Sequence, residues 1–277
     1  MASVIRELRS EHPLPLLLEV AGMSRSTYFY HIDRLRKGDK YKDIKLHLTL
    51  VFRENHGRYG YRRLTEVLQK EGIMINHKTV RKLMKEVGLK CLVRRKRYNS
   101  YKGENGKIAP DLLRRDFNAE KPLSKLVTDV TEFALFDHKI YLSPVLDLYN
   151  REIVAYDIST SPNLEMVKRM MKRVIPKLKK KNEAIILHSD QGALYQSGEY
   201  QRILQGNRIV QSMSRKGNCL DNAVIENFFG ILKSELLYLQ TFHSMEHFRQ
   251  ELNKYIKYYN QKRIKMNLEG LSPVDFR

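Results

Sequence analysis

The 277-residue sequence holds only two cysteines, Cys91 and Cys219, and no tryptophan. Two cysteines without metal-ligand spacing exclude a disulfide framework and a cysteine-built zinc site, and they fit a reducing cytoplasm. No run of about 18 apolar residues occurs, which excludes a membrane-spanning helix. The opening stretch MASVIRELRSEHPLPLLLEV is interrupted by Arg, Glu and His and does not read as a signal peptide. Acids are scarce as well: 31 Asp and Glu stand against 51 Lys and Arg, a formal net charge of +20. That excess points to a polyanionic partner, nucleic acid first, with a membrane-surface protein or a charged structural protein as the competing classes. The length predicts about two domains and an ample hydrophobic core.

In LPLLLEVAGMSRSTYFYHIDRL a short apolar helix, from about Pro15 to Val20, breaks at Ala21-Gly22. A second starts after Ser24, an N-cap whose hydroxyl accepts an orphan backbone N–H. This is the helix-turn-helix pattern, presenting Arg25, Ser26 and Thr27; an ordinary helical hairpin is the alternative. The same grammar recurs in HGRYGYRRLTEVLQKEGIMINHKTVRKLMKEVGLK, with a turn at Gly72, an N-cap at Asn76 and an end at Gly88. Leu64, Val67 and Leu68 form one apolar stripe; Val80, Leu83, Met84 and Val87 form the other. His77, Lys78, Arg81, Lys82 and Lys85 are left facing outward, which favours DNA binding on so basic a chain. From Cys91 to Pro122 periodicity stops, as in a linker. Its Arg94, Arg95, Lys96 and Arg97, followed by Tyr98 and Tyr101, suit a segment lying along a phosphate backbone or, equally, a solvated charge run.

From Leu123 the texture is α/β. KLVTDVTEFAL, KIYLSPVLDLY and EIVAYDIS read as three strands of an antiparallel meander, followed by a long basic helix. The strand AIILHSD, a short helix, the strand RIVQSMS and a helix from Asp221 complete a mixed sheet covered by helices. Asp129 lies in the first strand, Asp190 ends AIILHSD, and Glu226 opens the later helix. Three carboxylates converging beyond strand ends would repel unless protonated or neutralised by metal, and hard oxygen donors suit Mg²⁺ or Mn²⁺. Two such ions can activate a nucleophilic oxygen and stabilise the leaving oxygen of a phosphodiester. The 35 residues between Asp190 and Glu226 prove little among 31 acids. Glu132, Asp137, Asp157 and Glu235 read as solvated surface, whereas Asp147 in VLDLY is either structural or an orienting group.

Almost the whole chain resembles the catalytic, second-frame product of bacterial insertion-sequence transposases of the retroviral-integrase-like type. The matching stretches are GRYGYRRL, VTDVTEF, YLSPVLDLYNREIVAY, LHSDQG, SMSRKGNCLDNAVIENFFGILKSE, YYNQKRI and GLSPVDFR. The resemblance implies a ribonuclease-H-like core with a mixed five-stranded sheet, preceded by an all-α helix-turn-helix region. It places the acidic triad on Asp129, Asp190 and Glu226, holding Mg²⁺ or Mn²⁺, two ions in all. The family's basic residue two helical turns past the glutamate falls on Lys233, on the same helix face, as a cation for DNA phosphate. Arg215, Lys216 and Asn222, in the segment before Glu226, are the accompanying DNA contacts.

The implied organisation is 1–40 and 41–92 as two helix-turn-helix units, 93–122 as a basic linker, and 123–277 as the core with a helical extension. The implied activity is metal-dependent strand cleavage and strand transfer at the element's ends, in the cytoplasm at the nucleoid. The implied partners are double-stranded DNA, further copies of the chain and the first-frame protein, with no membrane. Where related sequences often carry Trp, this chain has Leu126, Ala193 and Leu220. A DNA-binding regulator with a relic core and a ribonuclease-H-type nuclease are the rival readings. Intact acids argue against the first, and the two added DNA-binding units against the second.

Overall fold

The computed structural model describes residues 1–36, 39–93, 108–178, 183–215 and 218–277. Contacts divide the chain into two units, residues 1–90 and 91–277. The first unit is helical: α1 (Ala2–Leu8), α2 (Leu14–Val20) and α3 (Arg25–Arg36) close over Ile5, Leu18, Tyr28 and Ile32. Ser24 Oγ accepts the Thr27 N–H at 3.2 Å, the expected cap. In the same unit, α4 (Lys42–Glu54), α5 (Tyr61–Lys70) and α6 (His77–Glu86) bury Leu48, Val51, Leu64, Leu68, Val80, Leu83 and Met84. Val67 and Val87 lie half-buried at the margin of these stripes. The turn between α5 and α6 passes through Gly72 at φ +84°, a conformation side chains rarely adopt. Asn76 Oδ1 caps α6 by accepting the Lys78 N–H at 2.8 Å. Helices α1 and α4 go beyond the sequence expectation, and each turns a two-helix motif into three packed helices. The spacing of Ile44, Leu48 and Val51 was the available signal for α4.

The second unit is built on a sheet of β1 (Lys125–Thr128), β2 (Thr131–Leu135), β3 (His138–Asp147), β4 (Ile153–Ser159), β5 (Ile185–Ser189) and β6 (Ile209–Met213). Strand β3 is antiparallel to β1 and β2 along one edge and to β4 along the other, while β5 runs parallel to both β1 and β6. The sequence predicts β1 and β2 as one strand, and both hold the same register against β3, which places Asp129 opposite Pro144. Proline has no N–H to give the ladder, so pairing lapses there. The Pro144 carbonyl accepts instead from Thr128 Oγ1, at 2.8 Å. With β1 and β2 counted together, the sheet has the five positions β4, β3, β1/β2, β5 and β6, as the resemblance implies.

Helices α7 (Leu164–Leu178) and α8 (Gly198–Gln205) cover one face over Leu126, Val145, Leu187 and Met213. Helices α9 (Ala223–Leu232) and α10 (Met245–Gln261) cover the other over Val127, Phe133, Leu142 and Leu146. Residues 108–122, read as the end of a linker, are docked on this core: Leu112 N–H donates to Ser212 Oγ at 2.9 Å, and Leu113 is buried. The C-terminal motifs are clamps on the β3–β4 turn. The Asn260 amide accepts from Ile153 N–H and donates to Ile153 O, both at 2.9 Å, and Asn150 donates to Pro273 O at 2.8 Å.

Two acids read as solvated are buried. Asp157 accepts from Arg169 at 2.8 Å and pairs with Arg173 at 3.1 Å, and Glu235 pairs with Arg263 at 2.7 Å. The three cations, Arg169 and Arg173 in α7 and Arg263 just after α10, come from segments that single-sequence reading does not bring alongside these acids. Glu132 and Asp137 are exposed, as read. Asp147 is structural, accepting the Leu123 and Tyr149 N–H groups at 2.8 and 3.0 Å. Among the described residues no helix is long and apolar enough to cross a membrane.

Candidate active site

Strands β1 and β5 run parallel with Val127 level with His188, so Asp129 and Asp190, two residues further on, leave the sheet side by side. Val127 and Ile186 pack toward α9 and α10, while Leu126 and Leu187 pack toward α7 and α8. The two-residue alternation of strands therefore puts both aspartates on the α9 side. Glu226 lies in the first turn of α9. The helix begins at Ala223 rather than Asp221 because a 3₁₀ turn, Cys219–Asn222, precedes it.

All three carboxylates are half-buried and feel one another. Burial first, then the Asp190 charge and more weakly Glu226, hold Asp129 well above the ordinary carboxylate range, against a lowering hydrogen bond from Val130 N–H. Burial raises Asp190, opposed by the Gly192 N–H. Burial and the Asp190 charge raise Glu226. Asp129 Oδ1 accepts from Val130 N–H at 2.7 Å and Asp190 Oδ1 from Gly192 N–H at 2.9 Å, which leaves Oδ2 of each without a hydrogen bond to a described residue. These are hard, anionic oxygen donors with mutual repulsion to relieve, a set that fits Mg²⁺ or Mn²⁺. Among the described residues no three His, Cys, Asp or Glu side chains are gathered closely enough to enclose an ion as they stand.

Gly192 matters through space rather than backbone freedom. A Cβ at this position would stand 2.9 Å from Asp190 Oδ1. Gly192→Ala is expected to swing that carboxylate and to lower single-turnover cleavage by about 10- to 100-fold, the cost of a misplacement near 1 Å. Its melting temperature should stay close to the parent's. A parent-like rate would show that the Asp190 rotamer does not limit the reaction.

The other predicted contacts are placed unevenly. Lys78, Arg81, Lys82 and Lys85 are exposed along α6, as expected. Arg215 is exposed, but its guanidinium is committed to Asp221 at 2.8 and 2.9 Å. Asn222 is buried, with both amide atoms lacking a partner, so it offers DNA no surface in this conformation. Lys233 caps α9 with α-helical dihedrals, and a π-helical turn, Lys233–Leu237, takes over there. Its ammonium lies 5.6 Å from the Phe133 ring centroid, and burial lowers its pKa, with Glu132 opposing. Lys216, Arg94, Arg95 and Arg97 fall outside the described residues. Of the three positions lacking Trp, Leu126 is core, whereas Ala193 and Leu220 are exposed. Sequence reading missed Arg115, His188, Ser212 and Asp221, which hydrogen-bond around the site; the histidine of LHSDQG and the aspartate before Asn222 were the visible traces.

Carboxylates at the ends of adjacent parallel strands, faced by a third on a helix, define a ribonuclease-H-like, integrase-type core. Residues 119–219 and 226–277 each match a family described as "Integrase core domain", and residues 40–97 match an "HTH-like domain". The chain is 50% identical over 274 residues to the putative transposase InsK for insertion sequence element IS150 of Escherichia coli K12, covering 99% of this chain and 96% of that protein. It is also 50% identical over 208 residues to an uncharacterized transposase-like protein of Haemophilus influenzae, over 75% of this chain and 95% of the other. A solved HTLV-2 integrase catalytic core domain, in complex with magnesium, is 17% identical with a TM-score of 0.41, over 56% of this chain and 96% of that one. The chain belongs to the insertion-sequence transposases built on an integrase core.

Proposed function

We propose that Asp129, Asp190 and Glu226 are the catalytic acids of DNA strand cleavage and strand transfer at the ends of an insertion sequence. The observation that carries this reading is the convergence of two carboxylates from parallel strand ends with one from α9, each raised by burial or by its neighbours. These residues would hold two Mg²⁺ or Mn²⁺ ions, which when bound supply Lewis-acid stabilisation and an activated oxygen nucleophile. The chain's own part is to aim the free carboxylate oxygens. The Val130 and Gly192 N–H groups lock one oxygen of each aspartate, and the β1–β5 register sets their separation. Exposed Lys78, Arg81, Lys82 and Lys85 on α6 would grip the duplex backbone, with further copies of the chain and the first-frame protein as partners on DNA.

The test uses the full chain with duplex oligonucleotides carrying the element's ends. Cleavage and joining in Mg²⁺, both lost in EDTA, are expected. Cutting without joining would favour a nuclease, and binding without cutting a regulator. In the same assay, neutralising the four α6 cations together should weaken binding and flatten its salt dependence by about 0.9 in log–log slope per lost phosphate contact. Unchanged affinity would remove α6 from the interface.

A further inference from the structure

Glu226 makes no hydrogen bond or ion pair with a described residue, so its place is set by whatever fixes the start of α9. That start is held by one carboxylate. The Asp221 side chain is fully buried and accepts four hydrogen bonds: Arg115 Nε at 2.8 Å, Arg215 Nε at 2.8 Å, Arg215 Nη2 at 2.9 Å and Arg215 N–H at 3.1 Å. Four donors fill the acceptor sites of a carboxylate. Arg115 comes from the segment ahead of β1, and Arg215 from the loop after β6. Asp221 itself sits in the 3₁₀ turn Cys219–Asn222 that runs directly into α9.

The same segment is tied a second time. Leu112 N–H donates to Ser212 Oγ at 2.9 Å, and His188 Nδ1 lies 2.8 Å from that oxygen. Ser212 Oγ can accept from Leu112 N–H and still either donate to Nδ1 or accept from it. His188 is two residues before Asp190, and the Asp221 main chain is among its neighbours.

We propose that Asp221 is a positioning residue for Glu226, clamping the turn ahead of α9 to residues 112–115 and to the loop after β6 so that Glu226 faces Asp190. The inference rests on the triad reading above. It makes the segment before β1 a working part of the catalytic unit, since Arg115 supplies a donor that no residue of the sheet provides.

The experiment compares Asp221→Asn, Arg115→Gln and Glu226→Gln with the parent, all as full chains. Two quantities are read: the Mn²⁺ concentration giving half-maximal cleavage of element-end DNA, and the rise in melting temperature that Mn²⁺ produces over EDTA. Asp221→Asn should lose about 10- to 100-fold in cleavage at low Mn²⁺, the usual cost of removing a residue that orients a metal ligand. It should also need more Mn²⁺ and show a smaller Mn²⁺-induced rise. Arg115→Gln should move both readings in the same direction while melting like the parent in EDTA, because its guanidinium is partly exposed; it decides the case if Asp221→Asn does not fold. A purely structural role would lower the EDTA melting point and leave the Mn²⁺ dependence unmoved. Parent-like Mn²⁺ dependence in the variants, with Glu226→Gln inactive, would overturn the positioning role and leave the triad standing. An active Glu226→Gln would overturn the triad itself.

Discussion

Asp129→Asn is expected to abolish strand cleavage and joining, by on the order of 10³-fold or more, while making the metal-free protein more stable. The two effects share one cause. Burial and the Asp190 carboxylate raise the folded-state pKa of Asp129, so near and above pH 4 the unfolded chain gives up this proton before the folded one does. Stability then falls as pH rises through the raised value, and below the unfolded value the penalty vanishes because both states are protonated. In EDTA the variant should therefore melt above the parent at pH 8 and level with it near pH 4. The gap should be about 2–4 °C for each kcal/mol of repulsion and burial relieved. Added Mn²⁺ should raise the parent's melting temperature and largely spare the variant, since cation and substitution remove the same repulsion. Identical melting of parent and variant at both pH values would show that Asp129 stands in no repelling pair. DNA binding should be nearly unchanged, because the α6 cations lie in the other unit.

Much of this was legible because it rests on local periodicity. The caps at Ser24 and Asn76, the turn at Gly72 and the strands around Asp129 and Asp190 follow from residue type and spacing within a few positions. Parallel pairing of β1 with β5 is not local: β2, β3, β4 and α7 lie between them, so periodicity yields a mixed sheet without naming that pair. What escaped was set by residues distant in sequence. Asp157 and Glu235 look like ordinary surface acids until Arg169, Arg173 and Arg263 are brought against them. Asn222 looked like a DNA contact on a continuous helix. A 3₁₀ turn before Ala223 places Asn222 in the core. The break between β1 and β2 was readable in principle. Pro144 stands in YLSPVLDLY, but its effect is felt at Asp129 only once the register of β3 is known.

Arg263→Met is expected to destabilise the protein by about 3–5 kcal/mol, the cost of stranding a buried charge. Glu235 and Arg263 are each almost fully buried, with Arg263 Nε 2.8 Å and Nη2 2.7 Å from the two carboxylate oxygens. Tyr255 Oη donates to the same carboxylate at 3.0 Å, and the guanidinium lies 5.6 Å from the Tyr259 ring centroid. Removing the arginine takes away the cation paired with the buried Glu235 carboxylate, together with two of its hydrogen-bond donors, Arg263 Nε and Nη2. Replacing both partners with methionine should cost much less than either single change, because the desolvation penalty goes with the charges. Urea unfolding of the two singles and the double measures this directly, and the singles should respond little to added salt, since buried pairs are poorly screened. Additive losses would mean that the two side chains act separately. The consequence reaches the site through α9. Glu235 lies in the π turn that continues this helix, and Arg263 follows α10, so the pair ties the far end of the Glu226 helix to the neighbouring helix. Arg263→Met should therefore lose strand transfer on warming before its DNA binding fails, because α9 is released while the helical unit of residues 1–90 keeps its own core.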